Sequence, residues 1–224
     1  MPQDTATSPF NGSYTALITP FSNGKVDAAA FRKLVDFQIE NGTHGLVPVG
    51  TTGESPTLSH EEHDCGIEIC IEQAAGRVPV IAGAGSNSPA EAVRLAKYAA
   101  AAGADGVLIV SPYYNKPTQE GLYHHFTAVA QAVDVAVIVY DIPGRSSVRV
   151  NEDTLVRMAA DYLNISGIKD ATTDVGRPPG ETCGCRRCQW RADCQPLLQQ
   201  ADAGRAVSPF HRCRTGRRCG GDRL

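Results

Sequence analysis

The chain has no apolar run of about 18 residues, so no segment reads as a transmembrane helix. It has no surplus of positive charge either. Lys and Arg number 21 against 24 Asp and Glu, for a net charge of −3, which gives no electrostatic case for nucleic acid or anionic membrane partners. The start, "MPQDTATSPF", lacks a basic stretch followed by an apolar one, and so does not read as a secretory leader. These absences predict a soluble, cytoplasmic protein. Cysteine is sparse where the sequence is regular, with Cys65 and Cys70 alone, and then crowds the last stretch as Cys183, Cys185, Cys188, Cys194, Cys213 and Cys219. So uneven a distribution is not a disulfide framework for the whole chain. Isoleucine is missing after Ile168 and lysine after Lys169.

What is present is ordinary globular material: 224 residues with 42% hydrophobic and 20% charged, enough to bury a core. From Ser13 onward short apolar runs alternate with longer amphipathic ones. Strands are predicted at Tyr14–Thr19, Gly45–Val49, Val78–Gly83, Gly106–Ser111, Val135–Tyr140 and Asn164–Lys169. Most are continuous aliphatic runs, the pattern of parallel strands covered on both faces. Helices are predicted between them. Asp27 caps the first, which Gly42 ends; Ser59 with Glu62 opens the second as a capping box; Ser88-Pro89 starts the third; Thr118 and Asn151 cap the fourth and fifth.

Six strands and five helices in alternation imply a parallel sheet with right-handed crossovers. Two architectures fit, a doubly wound sheet and the first part of a (β/α)₈ barrel. "GAGSNS" after the third strand favours the first only weakly, since it lacks the third glycine of a dinucleotide-binding loop. The positions of the polar residues favour the barrel. "GTTGES" follows strand two, "SPYYNKP" follows strand four, "YDIPGR" ends strand five and Lys169 ends strand six. Barrel enzymes collect their chemistry at such C-terminal strand ends.

Lys169 closes an apolar run. An ammonium held in a partly desolvated barrel mouth loses its proton more readily and becomes a nucleophile able to form a Schiff base. A lysine that reaches water or pairs with Asp170 does not. Tyr114, Tyr140, Thr51 and Thr52 could relay protons, or the tyrosines could serve as ordinary buried hydrogen-bonding groups. Arg145 could grip a carboxylate bidentately or remain a solvated loop residue. Backbone N–H groups of the Gly50–Gly53 turn could hold a carboxylate or simply make the turn.

The segments "GTTGES", "SPYYNKPTQEGLYHHF", "VIVYDIPGR" and "GIKDA", in this order and spacing, resemble the dihydrodipicolinate synthase / N-acetylneuraminate lyase family of class I aldolases over about Gly12 to Val175. The resemblance implies a TIM barrel, with Lys169 forming a Schiff base with pyruvate and no cofactor or metal. Tyr140 would be the general acid/base, with Thr51 and Tyr114 completing the relay. Thr52 would hold the pyruvate carboxylate and Arg145 that of L-aspartate 4-semialdehyde. Tyr114 would reach into a neighbouring subunit, implying a homo-oligomer, a dimer or a tetramer. The arginine and "GTTGE" resemble the synthase branch, in lysine and diaminopimelate synthesis, rather than the lyase branch. Asp141 stands where the family usually has asparagine, which would put an added carboxylate near Arg145. Ser55, His60, His63, Asn87, Glu91 and Tyr113 match positions that bind feedback-inhibiting L-lysine. His60 and His63 also have the spacing of a metal pair, without a third ligand. The alternatives are another pyruvate-dependent aldolase or lyase acting on a sugar acid, or an inactive truncated product.

The boundary is expected near Arg177: a partial barrel domain at 1–177 and a non-homologous, disordered Cys/Arg-rich tail at 178–224. The tail shows no useful periodicity, and its cysteines and His211 fit no standard zinc spacing. A natural basic tail is a further reading. A shift of reading frame is favoured, because a GC-rich strand read out of frame yields Arg, Pro, Gly, Ala and Cys. Six strands of an eight-strand barrel leave edges uncovered, so the polypeptide as written is expected to be unstable or aggregating, with little activity.

Overall fold

A computed structural model describes residues 10–172. The expected boundary near Arg177 and the tail at 178–224 lie outside the described residues. Six parallel strands carry the architecture: β1 (Tyr14–Ala16), β2 (Gly45–Val47), β3 (Ile81–Gly83), β4 (Gly106–Val110), β5 (Ala136–Asp141) and β6 (Ile165–Asp170). They alternate with α1 (Ala28–Glu40), α2 (His60–Ala74), α3 (Pro89–Ala102), α4 (Gln119–Ala130) and α5 (Glu152–Asp161).

Each strand pairs in parallel with the next in sequence. β1 pairs with β2, and β3 through β6 form one sheet. A Leu46–Val80 bridge joins the two groups, flanked by Leu46 N donating to Pro79 O and Gly83 N to Pro48 O. A doubly wound sheet must reverse its strand order at one point. This one never does, as expected of a partial (β/α)₈ barrel.

Several strands are shorter than the apolar runs suggest. β2 stops at Val47 and β3 starts at Ile81, because Pro48 and Pro79 cannot donate to a ladder. An antiparallel hairpin, Phe21–Ser22 with Lys25–Val26, was not anticipated. Asn23 and Gly24 both have positive φ, 52° and 75°, as the tight turn of a two-residue hairpin requires.

The capping expectations hold for three helices. Asp27 accepts from Ala30 N, Ser59 and Glu62 form the reciprocal box, and Thr118 accepts from Gly121 N. They fail for Asn151, whose side chain makes no capping bond. Gln119 ties down that end instead: its Oε1 accepts from Asn151 N at 2.9 Å and from Thr154 Oγ1 at 2.8 Å.

Side chains alternate across the strands into two apolar layers. Ala82, Val107, Ile109, Val137, Val139 and Ile165 pack with Leu95, Leu122, Phe126 and Met158 of the helices. Val47, Ile81, Leu108, Ile138 and Tyr140 form the inner layer. Each large side chain fully buried this way contributes about 1.5–3 kcal/mol. Strand β6 breaks the alternation once. Val137 pairs with Ile165, but the next residue, Ile138, pairs with Gly167, so Ser166 is the extra residue of a β-bulge. Ile165 and Ile168 therefore both face the helices. Lys169 falls opposite Tyr140, an inward position, where simple alternation from Ile165 would have turned it outward.

Candidate active site

The C-terminal strand ends converge on one cavity of about 250 Å³, whose lining includes Thr51 and Ser55 from the loop after β2, Tyr113 from the loop after β4, and Tyr140 and Arg145 from the end of β5 and its loop. Gly83 and Gly85 make room for it. A side chain on Gly83 would meet Val49 O at 2.5 Å, and one on Gly85 would meet Val110 N at 2.7 Å. Gly83 and Gly85 of "GAGSNS" thus allow close backbone packing at the cavity wall.

Lys169 is 7% exposed, and its Nζ sits 4.4 Å from the centroid of the Tyr140 ring. It does not reach water in the manner of a strand-end lysine. It packs against the Tyr140 ring and is not among the residues lining the cavity. Tyr140 is itself 7% exposed and belongs to the cavity wall.

Arg145 belongs to a single helical turn, Pro143–Ser146, which the sequence reading treated as a loop. Ser146 pins that turn by donating to Ile142 O at 3.0 Å and Val148 O at 2.9 Å. Asp141 follows Tyr140 on β5. Strand alternation sends its side chain away from the Tyr140 face. There the fully buried carboxylate accepts from Val150 N at 3.2 Å, closing the base of the Arg145 segment.

Thr52 is half-buried and off the cavity wall. Tyr114 leaves the site altogether: it is 89% exposed, with φ at +70°, a left-handed conformation unusual for an aromatic residue.

The six residues matched to lysine binding divide. Ser55 and Tyr113 line the cavity. His60 Nε2 lies 2.8 Å from Glu91 Oε1. Ser86, which the sequence reading missed, donates to the other Glu91 oxygen. The hydrogen bonds from Ser86 and His60 hold the Glu91 carboxyl below its ordinary range. Asn87 contributes its carbonyl, which accepts from Asn115 Nδ2 at 3.2 Å. His63 is buried, and burial lowers its pKa. His60 faces solvent and His63 the interior, so the two do not converge as a metal pair. Among the described residues no three His, Cys, Asp or Glu side chains gather as a metal site. No helix among them is long and apolar enough to cross a membrane.

A sequentially wound parallel sheet with a buried lysine, a facing tyrosine and an arginine at its C-terminal edge defines the class, a barrel-fold protein with polar side chains gathered at its strand ends. Residues 9–185 match the Dihydrodipicolinate synthetase family, and the chain belongs to that family. It is 62% identical over 172 residues to the 4-hydroxy-tetrahydrodipicolinate synthase of Rhodopseudomonas palustris (strain BisA53), covering 77% of this chain and 58% of that protein. The chain therefore spans under two thirds of that relative's length. The chloride-inhibited dihydrodipicolinate synthase from Acinetobacter baumannii, solved in complex with pyruvate, superposes with a TM-score of 0.72 at 53% identity, over 74% of this chain and 57% of that one. The enzyme from Cyanidioschyzon merolae, solved with lysine bound, gives a TM-score of 0.74 at 38% identity, over 76% and 58%.

Proposed function

We propose that this chain carries the condensing chemistry of a 4-hydroxy-tetrahydrodipicolinate synthase, joining pyruvate to L-aspartate 4-semialdehyde in cytoplasmic lysine and diaminopimelate synthesis. The observation that carries the reading is Lys169 held opposite Tyr140 at 4.4 Å, beside a cavity lined by Thr51 and Arg145.

Burial favours the neutral form of an amine, which is the nucleophile. Lys169 Nζ adds to the carbonyl carbon of pyruvate, and loss of water leaves a protonated imine. Removal of a methyl proton gives the enamine, whose carbon bonds to the aldehyde carbon of the second substrate. The aldehyde oxygen takes up a proton as that bond forms. Tyr140 supplies and receives protons, with Thr51 and Tyr114 as its relay. Thr52 holds the pyruvate carboxylate and Arg145 that of the semialdehyde. No metal or other cofactor enters these steps.

The exposure of Tyr114 and its left-handed backbone support a role across a subunit boundary, in a homodimer or homotetramer. Ser55, His60, His63, Asn87, Glu91 and Tyr113 form the reading's inhibitory site for L-lysine. The His60–Glu91 pair supports it by offering an ammonium-binding carboxylate close to a titratable ring. We further propose that the partial barrel domain ends near Arg177 and that 178–224 is read out of frame, although the family match runs on to residue 185.

Borohydride reduction in the presence of pyruvate, followed by peptide mass mapping, tests the assignment. An adduct on Lys169 is expected, and an unmodified Lys169 peptide rejects the reading for this chain.

A further inference from the structure

The turn that carries Thr51 and Thr52 is strained and clamped. Val49 enters it with φ at +45°, fully buried. A β-branched residue rarely adopts that conformation, which is strained and persists only where the surroundings over-determine it. They do so here from three sides. Gly66 leaves space for the Val49 side chain, since a Cβ there would lie 2.8 Å from Val49 Cγ1. Gly83 leaves space for its carbonyl, and Gly53 for its Cα, which a Cβ would approach to 3.0 Å. The chain then closes on itself, Gly53 N donating to Gly50 O at 3.0 Å and Glu54 N to Thr51 O at 3.2 Å.

The far end of the turn is held from outside. Thr19, just beyond β1 and 4% exposed, donates its hydroxyl to Gly53 O at 2.7 Å. Gly53 is buried, so without this donor its carbonyl loses a partner that water cannot readily replace. We infer that Thr19 is a positioning residue: through Gly53 it fixes the strained turn that sets Thr51 on the cavity wall. Thr19 is off the cavity wall and acts only through the turn. The inference rests on the pyruvate reading above.

The test compares Thr19→Val, near-isosteric but without the donor, with Thr19→Ser, which keeps it. Thr19→Val is expected to raise the pyruvate concentration for half-maximal borohydride trapping on Lys169 about 5- to 20-fold and to slow the limiting trapping rate. Thr19→Ser should stay within about twofold of the unmodified chain. Trapping by Thr19→Val at the unmodified constants, or equal impairment of both variants, overturns the inference. Hydrogen exchange at the Gly53, Glu54 and Ser55 amides gives an independent readout, accelerated in Thr19→Val and unchanged in Thr19→Ser. If the unmodified chain traps no pyruvate, the functional reading fails, while exchange still decides the role of Thr19: unaltered protection in Thr19→Val overturns it. Should Thr19→Val lack a native circular-dichroism spectrum, Thr19→Ala removes the same donor without setting a methyl against the carbonyl, and the same outcomes apply.

Discussion

Lys169 and Tyr140 are register partners on neighbouring parallel strands, and the lysine Nζ rests 4.4 Å from the tyrosine ring centroid. Placed so, the two side chains have separable roles. Tyr140→Phe keeps the ring but loses the hydroxyl. It is expected to retain the reduced pyruvate adduct on Lys169 while turnover falls about 100-fold or more, the usual loss for a general acid/base. Lys169→Ala is expected to abolish the adduct. Trapping and a steady-state condensation assay on the same preparations separate the two effects.

Asp141 is fully buried at the end of β5. Its carboxylate accepts from Val150 N and so draws together the ends of the segment that carries Arg145. Asp141→Ala is expected to raise KM for the semialdehyde several-fold and leave pyruvate trapping within about twofold. Asp141→Asn, which retains the acceptor oxygen, should resemble the unmodified chain. Arg145→Ala should show the larger KM effect of the same kind, measured by initial rates at saturating pyruvate.

His125 is 1% exposed, and burial pushes its pKa down from 6.5 to about 4. Between those values the unfolded chain binds a proton that the folded chain refuses, so stability rises with pH across that window. The contribution is complete above about 6.5 and is lost as pH falls towards about 4, at up to about 1.4 kcal/mol per pH unit. His63, also lowered by burial, acts in the same direction. His125→Gln is expected to flatten the slope of stability against pH between 4 and 6.5, measured by urea denaturation at several pH values.

Gln119 makes three hydrogen bonds that join α4 to the start of α5: from Asn151 N, from Thr154 Oγ1, and to Arg149 O at 2.8 Å. Gln119→Ala is expected to destabilise by about 1–2 kcal/mol, since it strands donors at a helix start. Thermal unfolding should show a drop of several degrees. Arg157→Ala, which removes an exposed ion pair to Glu120, should shift the midpoint less.

Much of this was legible in the sequence because periodicity and caps are local signals. The six apolar runs, the Ser59–Glu62 box and the Thr118 cap depend on residues within a few positions of each other. The polar strand ends at Thr51, Tyr140, Arg145 and Lys169 were legible as a set because a barrel gathers such ends on one face. What was missed depends on contacts across many residues. Gln119 replaces Asn151 as a cap from 32 positions away, and Ser86 is recruited by Glu91 on the following helix. The bond from Val150 N to Asp141 is likewise set by the face the strand gives Asp141 and not by sequence distance. The Asn23-Gly24 turn did carry a local signal, and it was overlooked between apolar runs too short to read as strands.

The bulge at Ser166 makes β6 tolerant in one direction only. The strand holds one residue more than its neighbour needs. A chain lacking Ser166 could pair Ile165 and Gly167 directly with Val137 and Ile138 and still deliver the lysine to Tyr140. A chain with one further residue between Ile165 and Lys169 would have to absorb it in a second irregularity or turn the lysine towards the helices. The position of the Lys169 amine is thus guarded against shortening by a spare residue, and exposed to lengthening.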